Sequence, residues 1–537
     1  MPVNHRIVKL WFVPIAAAIT LSAGILCAAD WPMWGGDPSR NMVSAEKNLP
    51  ITADPGKAKA EGQPIDPATT KNVKWAAPLG SASYGNVTVA GGRAFIGCNN
   101  ASPRDPKYQG DYSILLCLDE QTGKMLWQLA CPKLSAGKVN DWEQVGLCSS
   151  PTVDGDHVYV VTNRCEVLCL DVHGQAGGTN RGPFKDEAQY VAGPGNPPIA
   201  QGPADADIVW RYDMRNELGS FPRNQASSSV LVVGDKLFVT TSNGVDWSGK
   251  HIPSPDCPAL ICLDKNDGKL LAVERSGISR RTWVCNWSSP AYGAISGRPT
   301  VVFGGGDGFC YGFDANIDAN SKPFVAAESQ TIAGGAPPPV PTLKELWRFD
   351  CNPPERHVKD GKTLKYGSGE GPCDVIATPV VVKDRVYIAI GQEPEQGDGA
   401  GAMNCIEPRG ATGDISQTGR VWTNASIGRS VSTAAVADGL VYVSELAGIV
   451  HCFDAATGAE IWKHDTEGHI WGASYVADGK IYVGNENGQL VILATGKADK
   501  LIATIDLKDA VYSTPVAANG VLYVGTAANL FAFKASK

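Results

Sequence analysis

The sequence predicts an all-β fold, an eight-bladed β-propeller of four-stranded antiparallel blades whose last blade is closed by the N-terminal strand. Three observations predict it: one hairpin pattern that recurs eight times, an outer-strand pattern that follows it seven times, and a lone outer-strand pattern upstream of the first hairpin. Fixed-order repeats over a chain of 537 residues argue for one closed architecture rather than several domains.

The hairpin is clearest at Ser149-Ser150-Pro151-Thr152-Val153-Asp154-Gly155 followed by Val158-Tyr159-Val160, and it returns from Asn86, Ser228, Ser288, Thr378, Thr433, Ala473 and Thr514. Period-two alternation of this kind is a strand signal, and Gly or Asp between the runs is a turn signal. Next comes an apolar strand ending in Asp, then a Gly turn, then a strand that carries Trp. Asp119-Glu120-Gln121-Thr122-Gly123-Lys124 before Trp127, and Asp454-Ala455-Ala456-Thr457-Gly458 before Trp462, show it best. Asp bonds the turn amides, Gly takes the positive φ, and Trp supplies area for packing one sheet on the next.

The outer positions are Trp127, Trp210, Ala272, Trp347, Trp422, Trp462 and Ala503. Val73-Lys74-Trp75-Ala76-Ala77 has the same pattern with no hairpin before it, whereas the chain ends after Leu530-Phe531-Ala532-Phe533 without an outer strand. Joining the two ends completes eight blades and removes two free edges.

The start carries an export signal over 1–29: His5, Arg6 and Lys9, an apolar run from Leu10 to Leu26, and the small residues Cys27-Ala28-Ala29 before Asp30. Leu26 sits where a lipidation motif wants a small residue, so Cys27 is read as part of the cleaved leader. A monomer in the periplasm or outside the cell is expected, with no membrane span after cleavage. Residues 30–72 form an N-terminal extension leading into the ring. The ring itself occupies 73–537, with loop insertions near 174–207, 316–342 and 351–373. The first two, rich in Gly, Pro and Ala, are expected to be solvated and loosely ordered on the face opposite the channel mouth. The third is placed on the mouth side.

A net charge of −8 with no basic stripe excludes nucleic acid as a partner. Of the 15 cysteines, Cys117, Cys169, Cys262 and Cys452 stand at one repeated strand position and are expected as unpaired core residues, while Cys257, Cys351 and Cys373 in loops could pair. The eight histidines lack metal-ligand spacing, and no nucleophile elbow or phosphate loop occurs.

The turn motif Asp-x-x-Thr-Gly-x-x-x-Trp and the opening Trp31-Pro32-Met33-Trp34-Gly35-Gly36-Asp37 resemble the pyrroloquinoline-quinone (PQQ) propeller superfamily, which includes quinoprotein alcohol dehydrogenases and BamB-type assembly scaffolds. The resemblance covers essentially the whole chain after the leader and speaks to fold more than to activity. In a propeller the loops that enter the inner strands gather on one face around the channel mouth, and a site is expected there. Candidate binding residues there are Tyr84, Glu143, Asn224, Trp287, Arg429, Trp471 and Tyr512, with Asp374 as a candidate base. Trp142, Arg223, Gln225, Trp283, Asn286 and His469 share the face. Long second-to-third loops add Arg104, Asp105, Trp247, His251, Glu393, Glu395 and Asp398.

The reading taken from this is an exported binding or scaffold module that uses its channel mouth for an envelope or extracellular protein, a glycan or a small ligand. Two alternatives follow from the resemblance. One is a PQQ-dependent oxidoreductase acting on alcohols or sugars, with Ca²⁺ polarising the quinone; the absence of a Cys-Cys pair departs from the alcohol dehydrogenases. The other is a BamB-like outer-membrane protein assembly factor.

Overall fold

The computed structural model describes residue 1 and residues 29–60, 63–135, 137–318, 339–396 and 399–535. Most of the leader, the middle of the 316–342 insertion and Asp398 lie outside the described residues. Eight antiparallel sheets make an eight-bladed propeller. Blade 1 is Thr88–Ala90, Arg93–Asn99, Tyr112–Asp119 and Met125–Pro132, and the other blades repeat this order. The closing strand is as expected: Val73–Pro78 pairs antiparallel with Asn529–Phe533, with Trp75 opposite Ala532.

The repeated cysteines are explained by size. Across the third and fourth strands Cys117 faces Trp127, Cys169 faces Trp210, Cys405 faces Trp422 and Cys452 faces Trp462. Gly312 faces Trp347, and a methyl there would come within 2.2 Å of the indole. A small residue lets the indole lie flat on the sheet. In every blade the ladder slips at this pair, and the bulge turns the strand toward its neighbour. The indole then reaches the turn of the next blade: Nε1 of Trp75 donates to the Glu120 carbonyl at 2.9 Å, and its ring lies where a side chain on Gly123 would have to be. Trp127, Trp210, Trp422 and Trp462 donate to the equivalent turns.

The Ser/Thr pairs that open each hairpin join the blades at the inner rim. Ser149 Oγ donates to the Ser228 carbonyl at 2.7 Å, Thr152 Oγ1 to Val230 at 2.7 Å, and Ser288 Oγ to Ala377 at 2.8 Å. The Thr514 N–H donates to Asn86 Oδ1 at 2.6 Å, which sews blade 8 to blade 1. All fourteen described cysteines are free thiols, so Cys257, Cys351 and Cys373 do not pair with one another. These three are buried and pack as small apolar side chains.

The N-terminal extension does more than lead into the ring. Residues 29–46 run around the inside of the channel and touch all eight blades. Trp31 pairs with Val89 of blade 1, and the carbonyls of Pro32, Pro38, Ser39 and Met42 accept the N–H groups of Val153, Tyr292, Val381 and Val476 in blades 2, 4, 5 and 7. Asn41 exchanges two bonds with Val436 of blade 6, and Glu46 accepts the Gly520 N–H of blade 8. Arg40, fully buried, donates to the carbonyls of Pro290, Trp34, Ser229 and Val230. Innermost strands would otherwise leave one edge of polar backbone open along the axis, and this segment occupies it.

The 174–207 insertion corrects the expectation of a loosely ordered loop. It carries a helix, Glu187–Ala192, with Tyr190 buried and donating to Glu166 Oε2 at 2.8 Å. Its end lies along the outermost strand of blade 1, where the Gln128 N–H donates to Ala204 and its carbonyl accepts from Ala206. Two other connections repeat the move. The described end of 316–342 brackets Val273 of blade 3 through Pro341 and Leu343, and Gly413–Asp414 adds a short parallel fifth strand to blade 4 beside Trp347 and Arg348. Each insertion belongs to one blade and covers the outer edge of the blade before it. Gly- and Pro-rich composition reads as loop, but an open edge rewards any extended segment that reaches it.

Candidate functional site

The mouth of the channel holds a cavity of about 670 Å³. Its wall contains Tyr84, Trp142, Asn224, Gln225, Trp287, Arg429, His469 and Trp471, residues from six different blades and their entry loops. Below them runs a ring of small polar residues at one repeat position: Asn86, Ser150, Ser229, Ser289, Thr378 and Thr433. Trp34 of the N-terminal segment also lines the cavity, so the plug that fills the channel forms part of the site.

Five of the eight residues singled out from sequence therefore meet on one wall: Tyr84, Asn224, Trp287, Arg429 and Trp471. Tyr512 stands just behind it, stacked on Tyr84 with ring centroids 4.7 Å apart, and Trp471 sits edge-on to both at 6.0 and 6.4 Å. The Trp471 indole donates to Glu486 Oε1 at 2.5 Å, and the Trp287 indole donates to the Arg223 carbonyl at 3.3 Å. These bonds fix the ring planes from behind.

Glu143 and Asp374 are not on the wall. Glu143 is exposed and lies over the loop at Gly137. Asp374 is fully buried beside Tyr366, whose hydroxyl donates to it at 3.3 Å, and burial holds its carboxyl well above the usual carboxylate range. The 351–373 excursion packs next to the mouth through Tyr366 stacked on Trp283 at 5.4 Å, and supplies no side chain to the wall. Of the long loops, 392–402 contributes Glu393, Pro394 and Glu395. Arg104 folds back to donate to the Pro78 and Leu79 carbonyls instead, and Trp247 stands 69% exposed away from the cavity.

Sequence reasoning missed Trp34, Cys148 and the Ser/Thr ring. The ring's signal, the repeated Ser/Thr before each inner strand, was present as a strand mark. That the same residue also faces the axis follows only from the closed geometry.

Three buried acceptors stand on the wall beside the Arg429 guanidinium. Gln225 Oε1, Asn224 Oδ1 and Glu393 Oε2 are buried acceptors with no hydrogen bond, and all three residues line the cavity. The Gln225 amide nitrogen is already committed to the Gly146 carbonyl, which leaves its oxygen for the cavity. Glu393 Oε1 accepts from Gln396 at 2.9 Å, which leaves Oε2. Buried acceptors of this kind are satisfied by something that donates.

The fixed charge on this wall does not favour a quinone that carries several carboxylates. A planar quinone bearing carboxylates would meet one guanidinium, Arg429, and two further carboxylates, Glu393 and Glu395. Among the described residues, no three His, Cys, Asp or Glu side chains come together as a metal site. The unpartnered acceptors ask for donors, and a polycarboxylate supplies further acceptors.

The sequence profile of the family described as outer membrane protein assembly factor BamB matches residues 63–317, 367–464 and 446–535. No curated protein matches the chain. Among solved structures, BamB from Moraxella catarrhalis is 15% identical with a TM-score of 0.46, covering 83% of this chain and 93% of its own. The quinohemoprotein alcohol dehydrogenase from Comamonas testosteroni is 13% identical with a TM-score of 0.45, covering 95% and 81%. The computationally designed Ika8 protein is 10% identical with a TM-score of 0.45, covering 85% and 98%.

Proposed function

From the premise that the chain belongs to the family described as outer membrane protein assembly factor BamB, we propose that it is an exported binding module whose channel mouth takes a hydroxyl-rich ligand, a glycan or the glycan end of a larger molecule. The observation that carries this is the set of unpartnered acceptors, Gln225 Oε1, Asn224 Oδ1 and Glu393 Oε2, on a wall that also carries the rings of Tyr84, Trp142, Trp287 and Trp471. Sugar hydroxyls donate to such acceptors, and the apolar face of a sugar ring rests on Trp or Tyr. A deep pocket with convergent polar groups binds what inserts into it, whereas a protein partner would need a broad flat patch. An assembly role through strand addition is disfavoured at blades 1, 3 and 4, whose outer edges the chain already covers.

The test is titration of the purified chain with a panel of neutral and amino oligosaccharides, read by tryptophan fluorescence and calorimetry. Binding is expected for at least one class, with Trp287→Ala and Glu393→Gln each weakening it about tenfold or more. Stoichiometric uptake of PQQ in the presence of Ca²⁺, with dye reduction on adding alcohols, would replace this reading by the oxidoreductase one. Capture of outer-membrane assembly components, with affinity unchanged by Trp287→Ala, would replace it by the scaffold one.

A further inference from the structure

We propose that export processing cuts between Ala28 and Ala29, and that the α-ammonium so formed pairs with Glu46 to lock the segment that floors the channel. This inference rests on the export reading and is independent of what the mouth binds.

Glu46 is 8% exposed, and among the described residues its two oxygens take backbone groups: Oε1 accepts the Ala29 N–H at 3.0 Å and Oε2 accepts the Gly520 N–H at 2.9 Å. No Lys, Arg or His side chain forms an ion pair with it among the described residues. A buried carboxylate is costly without a cation. The atom already in contact with it, the nitrogen of Ala29, becomes that cation once the preceding bond is cut.

Ala29 and Asp30 are held to blades 8 and 1. The Ala29 carbonyl accepts the Asn519 N–H at 3.3 Å. Asp30 Oδ1 accepts from Asn519 Nδ2 at 2.9 Å, and Oδ2 accepts the Gly91 N–H at 3.0 Å. Ala29 and Glu46 are 17 residues apart, yet both stand at blade 8, because the segment between them has gone once around the channel. An ion pair at this point ties the start of the loop to its end and holds Trp34 in the cavity.

The cut adds water across the Ala28–Ala29 peptide bond. Ala28 leaves as the carboxylate end of the leader, and the Ala29 nitrogen takes up the protons that make it an ammonium. The agent is a leader peptidase cutting after small residues, which Cys27-Ala28 supplies. The sequence alone points to a start near Asp30; the bond to Glu46 moves it one residue earlier.

The experiment is export of the full chain from a bacterial host, followed by intact mass and N-terminal sequencing. A start at Ala29 is expected. A start at Asp30 or beyond, or a lipidated Cys27, overturns the proposal. A second measurement compares melting of the chain beginning at Ala29 with one carrying Gly-Ser ahead of Ala29, each with and without Glu46→Gln. The extended form should melt a few degrees lower, and Glu46→Gln should erase the difference. Equal melting of the two forms in the unsubstituted background would also overturn it, whatever the mouth is found to bind.

Discussion

Tyr84 of blade 1 and Tyr512 of blade 8 stack with an interplanar angle of 28° and centroids 4.7 Å apart, directly at the seam where the ring is joined. The stack belongs to the cavity wall and to ring closure at once. Burial pushes the Tyr84 phenol up to about 12. Between pH 10 and 12 the unfolded chain loses this proton and the folded chain keeps it, so folding stability falls as pH rises through that window. Tyr84→Phe should remove this residue's share of the alkaline slope, to which Tyr387 and Tyr442 also contribute, with little loss at neutral pH. Tyr84→Ala should cost about 2 kcal/mol. Melting curves from pH 8 to 12 for the three chains decide it.

Arg40 holds the plug by donating to four carbonyls contributed by two blades and the segment itself. Its burial is unfavourable enough to bring the guanidinium down to about 9. Arg40→Met should cost about 3 kcal/mol or more, because four buried acceptors lose their donors, and Arg40→Lys should not rescue it, because a single ammonium cannot span them. Gly35→Ala tests the same packing from the backbone: Gly35 has φ +77° and a methyl there would lie 2.3 Å from the Arg40 Cα. Urea titration of the three variants measures these losses.

Glu274 is wholly enclosed, accepts the Ala259 and Ser276 N–H groups at 2.7 Å each, and is pushed up to about 7 by burial. From pH 4.5 to 7 the unfolded chain releases this proton while the folded chain retains it. This group therefore makes the protein less stable as pH rises through that window, by up to about 3 kcal/mol above it. Glu274→Gln should lessen the slope, leaving the part due to other buried carboxyls such as Glu166 and Asp307, and raise the melting temperature at pH 8. An unchanged slope would show that Glu274 ionises freely in place.

The covered outer edges predict an aggregation phenotype. Replacing 410–417 by a short Gly-Ser turn removes Gly413–Asp414 and leaves the outer strand of blade 4 with unpaired N–H and C=O groups around Trp347. The variant should keep its far-ultraviolet spectrum and show concentration-dependent light scattering at temperatures where the parent stays clear. Stability in the two chains should differ by less than the scattering does.

The blade count, the closing strand and the role of the repeated cysteines were legible because each is written in a local pattern that recurs: Cys117 before Trp127 is the same statement as Cys452 before Trp462. Much of the wall was legible too, since Tyr84, Trp287 and Arg429 precede inner strands and a propeller brings those starts together. Asp374 occupies an equivalent place in the sequence and yet turns inward, because Tyr366 from a separate excursion takes its carboxyl. Trp34 and Arg40 were illegible for another reason. Their contacts lie hundreds of residues away, as with Arg40 and Pro290, and no periodicity links a single extended segment to eight blades.

Cys148 gives a direct probe of the cavity. Of the fourteen described thiols it alone is not fully buried, and it lines the wall beside Val145 and Ser150. Its sulfur is still enclosed enough that burial pushes the thiol up to about 12. The thiolate is the reacting form, so alkylation of the native chain by a small maleimide should be slow at pH 7 and speed up about tenfold per pH unit toward pH 9. One label per chain is expected once the leader is gone, and Cys148→Ser should abolish it, whereas Cys117→Ser should not. A ligand seated against Trp287 and Gln225 covers the same wall, so saturating oligosaccharide should slow labelling severalfold without changing its pH dependence. Mass spectrometry of the labelled peptide reads both results. Labelling at Cys148 that ignores a ligand known by calorimetry to be bound would place that ligand outside the cavity.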